Sequence, residues 1–277
     1  MTTSLSRFGQ HIVLFGCGNM ASAMLGRWLD AGLDPAQVTA IRPSGKAVAN
    51  GVKVVTTSAE APANPDILMI GVKPQMLGDV AEDIARLIGP DTIVLSILAG
   101  VTIDDLRGRF PGAAARMRVM PNMPVRTGKG VVGLAGADGK DAARKTITRL
   151  MKPLGHVEWI DEENQFDALT ALTGSGPAFV YRFVDAMRAG GERLGFDEPT
   201  ALRLARATLA SAAAQLEVSE LTPTELAAQV ASRGGMTQAG LDVLDEDARL
   251  ASLMAETLRA ARARGRELAA LAREGQD

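Results

Sequence analysis

The sequence is poor in the residues that build disulfides, metal centres and catalytic triads. It contains one cysteine, one tyrosine and two histidines among 277 residues. A single cysteine excludes an internal disulfide framework and a multi-cysteine metal site. Neither His11 nor His156 has a metal ligand or an acid beside it at motif spacing. We therefore predict no metal and no Ser-His-Asp type chemistry.

Net charge and long apolar runs are also lacking. The formal charge of −2 gives no basic field, which disfavours nucleic acid and anionic membranes as partners. The longest apolar stretches, 67–72 and 92–98, are too short to span a bilayer. Residues 1–10 are mostly polar and contain no apolar signal region. We expect a cytoplasmic chain, whose 47% hydrophobic content is ample for packed cores.

Short apolar runs alternate with helical segments in the first half of the chain. The runs are 12–15, 38–41, 67–70, 93–97 and 117–120. Continuous apolar runs fit strands that are covered on both faces, and their alternation with helices favours a parallel sheet. From Asp161 onward the pattern is helical only. We predict an α/β, Rossmann-like doubly wound domain over 1–160 and an all-α domain over 161–277.

A glycine-rich turn follows the first apolar run and opens a helical stretch. Its residues are Gly16, Cys17, Gly18, Asn19, Met20 and Ala21. The spacing is typical of a dinucleotide site, in which the first glycine permits a tight turn and the second lets the backbone approach the pyrophosphate. The helix N-terminus then offers N–H groups to the phosphates. An ordinary glycine turn remains the alternative on this pattern alone.

The end of the second apolar run favours NADPH over NADH. An NAD site usually places Asp or Glu there to bind the ribose hydroxyls. Residues 41–46 contain no acid and instead supply Arg42, Ser44 and Lys46. Two cations and a hydroxyl suit a 2′-phosphate, although a solvated turn would have a similar composition. We predict NADPH as the cofactor, with NADH as a weaker alternative.

The lack of an acid–base constellation favours reduction of a C=N bond. A protonated imine already carries positive charge, so the protein mainly has to position the reactants and exclude water. A second glycine turn, at 232–237, precedes a helix-like segment and includes Thr237. Its backbone N–H groups and hydroxyl suit a carboxylate. A plain helix–helix turn is the alternative.

Six segments together resemble the pyrroline-5-carboxylate reductase family. They are Gly16-Cys17-Gly18-Asn19-Met20-Ala21, Val72-Lys73-Pro74, Ala99-Gly100-Val101-Thr102-Ile103, Met120-Pro121-Asn122-Met123-Pro124, Thr173-Gly174-Ser175-Gly176-Pro177-Ala178 and Ser232-Arg233-Gly234-Gly235-Met236-Thr237. The resemblance extends from about residue 11 to residue 260. It implies NADPH-dependent reduction of 1-pyrroline-5-carboxylate to L-proline, the last step of proline biosynthesis, by hydride transfer to a cyclic imine.

The resemblance also implies roles for single residues. The glycine turn would bind the pyrophosphate, and Arg42, Ser44 and Ser58 the adenosine ribose end. The rest of the cofactor channel would be lined by Gly71, Val72, Lys73, Pro74, Ile97, Leu98 and Ala99. The substrate would be held by Glu220, Gly234, Gly235, Met236 and Thr237. Thr237 would be the catalytic hydroxyl, and the helical domain would bind substrate and form a homodimer at least, or a ring of dimers.

Four positions depart from the family pattern. Arg233 replaces a proline, Met236 a small residue or threonine, Met123 a threonine and Ser58 an asparagine. Two alternatives stay open. Another NADPH-linked reductase of the same layout, such as a β-hydroxyacid dehydrogenase, would carry a lysine after its glycine-rich helix start, but the sequence has no lysine after residue 157. A non-catalytic dinucleotide sensor would not need Thr237.

Overall fold

A computed structural model describes residues 4–136, 138 and 141–274 of the chain. Of the side chains in the last helical turns, those of 268, 269 and 271–274 lie outside this description. The predicted ends of the two domains, at residues 1–3 and 275–277, also lie outside the described residues.

An eight-stranded sheet forms the centre of the first half of the chain. Its strands are β1 (Ile12–Phe15), β2 (Val38–Ile41), β3 (Lys53–Val55), β4 (Ile67–Ile70), β5 (Ile93–Ser96), β6 (Ala115–Pro121), β7 (Gly130–Gly136) and β8 (Gly155–Trp159). They lie in the order β3-β2-β1-β4-β5-β6-β7-β8. The first six are parallel, β7 runs antiparallel to β6, and β8 is parallel to β7. The order of the first six is that of the dinucleotide-binding doubly wound fold, which confirms the predicted fold class.

Helices cover both faces of this sheet. They are α1 (Asn19–Asp30), α2 (Leu77–Leu87), α3 (Ile103–Arg109) and α4 (Asp141–Met151). Since successive side chains of a strand point to opposite faces, Ile12 and Leu14 pack with α1 and α4, whereas Val13 and Phe15 pack with α2 and α3. Trp28 of α1 is fully buried in the first of these layers. Burial of each such side chain stabilises the fold by about 1.5–3 kcal/mol.

The rest of the chain is helical, as predicted. It contains α5 (Phe166–Leu169), a π-helical turn (Thr170–Gly174), α6 (Gly176–Arg193), α7 (Glu198–Val218), α8 (Pro223–Val230), α9 (Met236–Asp245) and α10 (Arg249–Glu274). None of the described helices has the length and apolarity needed to cross a membrane.

The chain forms two compact units, one of residues 1–174 with 261–277 and one of residues 175–260. These units reflect how residues pack and not which segments fold independently. The domain boundary predicted between residues 160 and 161 therefore stays a prediction. Within 175–260, all of which the structure describes, the buried hydrophobic residues are just Val184, Ala201 and Ala205. The helical unit therefore has little core of its own.

Candidate functional site

The predicted cofactor residues follow the carboxyl ends of neighbouring parallel strands. Arg42 follows β2, Gly16 follows β1, Gly71 follows β4 and Ile97 follows β5. Because β2, β1, β4 and β5 are parallel neighbours, these ends meet at one edge of the sheet. Open doubly wound sheets bind their ligands at this edge. The structure thus brings the cofactor half of the predicted site together.

Two glycines of this edge are required by packing within the protein. Gly16 has φ of 83°, and a Cβ there would meet Cγ1 of Val72 at 2.9 Å. A Cβ on Gly71 would meet the carbonyl oxygen of Gly16 at 2.8 Å. The turn after β1 and the end of β4 therefore contact each other through positions that tolerate no side chain.

Gly18 lacks a side chain for a different reason. It has φ of −79°, which any residue can adopt, and a Cβ there would meet no atom of the described residues within 4 Å. Gly18 is the N-cap of α1, and no side chain within the described part of the chain caps this end. The first N–H groups of a helix have no intrahelical partner. The glycine thus leaves open space before a helix end suited to phosphate.

Cys17 is buried in the same turn, with its Sγ 3.4 Å from Oγ of Ser22. Burial raises the pKa of the Cys17 thiol, while the Ser22 hydrogen bond and the positive charge of Arg42 act in the opposite direction. A protonated, buried thiol is a poor nucleophile, so Cys17 fills space.

The turn after β2 is held in shape by Arg42 itself. Its Nη1 donates hydrogen bonds to the carbonyl oxygens of Lys46 at 3.1 Å and Ala47 at 3.4 Å. The Ser44 hydroxyl accepts a hydrogen bond from the Lys46 amide at 3.4 Å. Gly45 completes the turn with φ of 63°. Arg42 and Ser44, which were predicted to bind the ribose end, therefore belong to one compact, positively charged turn.

Ser58 opens a 3₁₀ turn (Ser58–Glu60) that follows β3. Oε1 of Glu60 accepts hydrogen bonds from Oγ1 of Thr57 at 2.7 Å and from Oγ1 of Thr56 at 2.9 Å. These bonds lower the pKa of Glu60, so its carboxylate stays ionised. The carboxylate thus orders the turn that carries Ser58. No sequence pattern predicted this role for Glu60.

Asn122 directly follows β6, within the family-like segment 120–124, and no role was predicted for it. It is 6% exposed. Its Nδ2 donates to the carbonyl oxygen of Thr173 at 2.9 Å, and its Oδ1 accepts from the Val131 amide at 2.9 Å. The adjacent Met123 is 50% exposed. Asn122 therefore ties together β6, β7 and the π-helical turn that ends at Gly174.

A cluster of side chains around Arg118 was not predicted from the sequence. Nη1 of Arg118, on β6, donates to Oε1 of Glu163 at 2.9 Å, and the Ile103 amide donates to the same oxygen at 2.8 Å. The Arg118 guanidinium also lies 4.2 Å from the ring centre of Phe166. A cavity of about 470 Å³ beside this cluster is lined by Gly100, Thr102, Asp104, Asp105, Arg118, Glu163, Asn164 and Asp167. No short-range signal marks the cluster, because Glu163 lies 45 positions from Arg118 and 60 positions from Ile103.

The predicted substrate residues lie in the helical unit. Gly234 has φ of 71°, and the Gly235 amide donates to the Ser232 carbonyl oxygen at 2.9 Å. The positive φ of Gly234 favours glycine, and a Cβ on Gly235 would require the Ser232 side chain to move. Gly235 is the N-cap of α9, and no side chain caps that end within 175–260.

Two side chains that follow this turn are open to solvent. Met236 is 95% exposed, and Thr237 is also exposed. Glu220 lies between α7 and α8, and no hydrogen bond between described residues joins it to the turn. Met236 and Thr237 thus lie in the first turn of α9, whose N-terminus has no side-chain cap among the described residues, and Glu220 is not tied to them. Among the described residues, no three His, Cys, Asp or Glu side chains are grouped to hold a metal ion.

Comparison with known proteins places these features in a family. A family model described as pyrroline-5-carboxylate reductase dimerisation matches residues 163–268, and one described as NADP oxidoreductase coenzyme F420-dependent matches residues 11–100. The structure of a pyrroline-5-carboxylate reductase from Coxiella burnetii has a TM-score of 0.86 and 28% identity, covering 94% of this chain and 98% of that one. The Plasmodium falciparum pyrroline carboxylate reductase, solved with NADP bound, shares the fold at a TM-score of 0.79 and 23% identity, covering 94% of this chain and 98% of that one.

The sequence comparison is as extensive. A pyrroline-5-carboxylate reductase of Pseudomonas aeruginosa is 34% identical over 264 residues, which cover 93% of this chain and 96% of the relative. With likeness over nearly the full length in sequence and in fold, the chain belongs to the pyrroline-5-carboxylate reductase family.

Proposed function

We propose that the chain catalyses NADPH-dependent reduction of 1-pyrroline-5-carboxylate to L-proline, the last step of proline biosynthesis. The observation that carries the proposal is Gly18. This glycine is not needed for packing or backbone conformation, yet it keeps clear the space before an uncapped helix in the dinucleotide-binding position. Relatives named pyrroline-5-carboxylate reductase match over most of the chain.

The residues at the carboxyl edge fit NADPH. The first turn of α1 would hold the pyrophosphate through its backbone N–H groups. This turn comprises Gly18, Asn19, Met20 and Ala21. The Arg42 turn would hold the 2′-phosphate, since a cation and the Ser44 hydroxyl lie together there. The remainder of the edge would line the channel with Gly71, Val72, Lys73, Pro74, Ile97, Leu98 and Ala99. When bound, NADPH supplies a hydride to the imine carbon.

The turn before α9 would bind the substrate carboxylate. Its uncapped N–H groups and the Thr237 hydroxyl offer donors, and the partial positive charge of the helix end favours an anion. Thr237 would orient the ring through its nitrogen or its carboxylate. The protonated imine brings its own positive charge, so the chain needs donors and water exclusion rather than a strong general acid.

The working form would be a homodimer at least. Several large hydrophobic side chains of the helical unit are exposed, among them Tyr181 at 65%, Phe183 at 48% and Val218 at 77%. Large apolar side chains that are exposed together are typical of a surface that binds a protein partner. The matching family model is described as a dimerisation region. A ring of dimers and a cytoplasmic site of action are further parts of the proposal, which mass measurement and cell fractionation test.

The direct test is an absorbance assay at 340 nm with purified chain. We expect NADPH to be oxidised only after 1-pyrroline-5-carboxylate is added, and more efficiently than NADH. A β-hydroxyacid in the reverse direction serves as the control for the rival reductase class. Tight NADPH binding without turnover would instead favour a dinucleotide sensor.

A further inference from the structure

The loop from β5 to α3 occupies the half of the carboxyl edge that lies away from Arg42. The adenosine half of the predicted site lies over β1 and β2, whereas Ile97, Leu98 and Ala99 follow β5 on the other side of β4. A doubly wound sheet binds the two halves of a dinucleotide on either side of its switch point. Gly100 then turns the chain with φ of 79° before α3 begins. This loop would therefore meet the nicotinamide half.

Two carboxylates hold the far end of this loop, and they come from different parts of the chain. Asp105 is local, and its Oδ2 accepts from the Thr102 amide at 2.8 Å and the Thr102 hydroxyl at 2.6 Å. Glu163 is distant, and its Oε1 accepts from the Ile103 amide at 2.8 Å across 60 positions of sequence. Asp105 completes the capping box at the N-terminus of α3. Glu163 instead anchors that N-terminus to a distant part of the chain.

Glu163 can anchor the N-terminus of α3 because its own partner is buried and belongs to the sheet. The Arg118 side chain is 5% exposed and belongs to β6, and its backbone pairs with Ser96, the last residue of β5. Its guanidinium lies against the Phe166 ring, and its Nε is buried without a partner among the described residues. Glu163 is therefore the counter-charge of a buried cation, and this pair joins the sheet to the first residue of α3.

We propose that Glu163 is a positioning residue for the nicotinamide half of NADPH. In this role it acts through the Ile103 amide, and with it the loop of residues 97–102, rather than by contact with cofactor or substrate. The inference rests on the proposed function for the identity of the cofactor. It assigns no role to Glu163 in binding the adenosine half, which lies over other strands.

The test compares Glu163→Gln with Glu162→Gln, which removes the same charge from the adjacent exposed position. Binding is measured for NADPH and for adenosine 2′,5′-bisphosphate, which carries the adenosine half alone. For Glu163→Gln we expect the Kd of NADPH to rise at least about fivefold, or about 1 kcal/mol, while the Kd of the bisphosphate changes less than about twofold. Glu162→Gln should change neither.

Amide hydrogen exchange in the cofactor-free chain supplies an independent readout. The Ile103 amide should exchange at least about tenfold faster in Glu163→Gln than in the wild type, because it loses a charged acceptor. Equal weakening of both ligands, or no change in either ligand and in Ile103 exchange, would overturn the proposal. If the wild type binds NADPH but does not reduce 1-pyrroline-5-carboxylate, the proposed function fails while these binding and exchange measurements still decide the role of Glu163.

Discussion

Gly16 and Gly18 lie two positions apart in one turn, but alanine should act differently at each. It should lower stability at Gly16 and NADPH affinity at Gly18. Gly18→Ala adds a methyl group to open space at an ordinary φ, so the free energy of unfolding should change by less than about 0.5 kcal/mol. NADPH affinity should fall at least about tenfold, since the methyl group occupies the path of the pyrophosphate.

Gly16→Ala provides the contrast in stability. Its φ of 83° and its approach to Val72 should make the chain measurably less stable. Urea unfolding and NADPH titration of both variants check the contrast. Unchanged NADPH affinity in Gly18→Ala would show that the space before α1 is not the pyrophosphate site.

The Thr237 hydroxyl is the second prediction at the scale of a residue. Thr237 is exposed at the start of α9, so Thr237→Ala should leave folding intact. We expect kcat/KM for the imine to fall at least about tenfold, or 1.4 kcal/mol. Thr237→Ser keeps the hydroxyl and should recover most of the loss. Wild-type kinetics in Thr237→Ala would remove Thr237 from the site.

At the scale of elements, Asp138 joins α3, β6 and the end of β7. It pairs with Arg116 at 3.0 Å and Arg107 at 2.8 Å. Burial alone would raise the pKa of Asp138, but the hydrogen bonds from these two arginines outweigh it and hold the pKa below its ordinary value. A lowered folded-state pKa stabilises the fold above the unfolded-state pKa of about 3.9 and stops doing so as the pH falls through the folded-state value.

Asp138→Asn tests this pH dependence, because asparagine tolerates the φ of 47° at this position. The difference in unfolding free energy between wild type and variant should be constant from about pH 7 to pH 5 and should shrink below about pH 4. Urea unfolding across this pH range measures it. A difference that does not vary with pH would contradict the assigned ion pairs.

The elements also show what sequence patterns can and cannot predict. The runs that became β1, β2 and β4 are buried on both faces, which is why continuous hydrophobicity predicted them. β3 has three residues and an exposed Lys53, and β7 contains Gly133, whose missing side chain admits Leu169. Such strands depend on their neighbours rather than on their own propensity.

The residues of the candidate site likewise fall into those with a local sequence signal and those without one. Gly16, Gly18 and Arg42 were predictable because glycine spacing and the residues after a strand carry a local signal. Asn122 lies in a family-like segment, but its partner Thr173 is 51 positions away. Arg118 and Glu163 are 45 positions apart in the sequence, so no pattern of neighbouring residues marks them.

At the scale of the molecule, the helical unit predicts that folding and association are linked. With few buried side chains of its own and several large apolar ones exposed, this unit should gain much of its core from another copy of the chain. The apparent Tm should therefore rise with protein concentration, and light scattering should give a mass of at least two chains. A monomer whose Tm is independent of concentration would contradict this.

The most direct test of the account is the transfer of the hydride itself. Purified chain is incubated with 1-pyrroline-5-carboxylate and with NADPH that carries deuterium at the transferable position of its nicotinamide, and the product is examined by mass spectrometry. We expect L-proline that has gained one deuterium for each NADPH oxidised. Tight binding of NADPH with no labelled proline would contradict it.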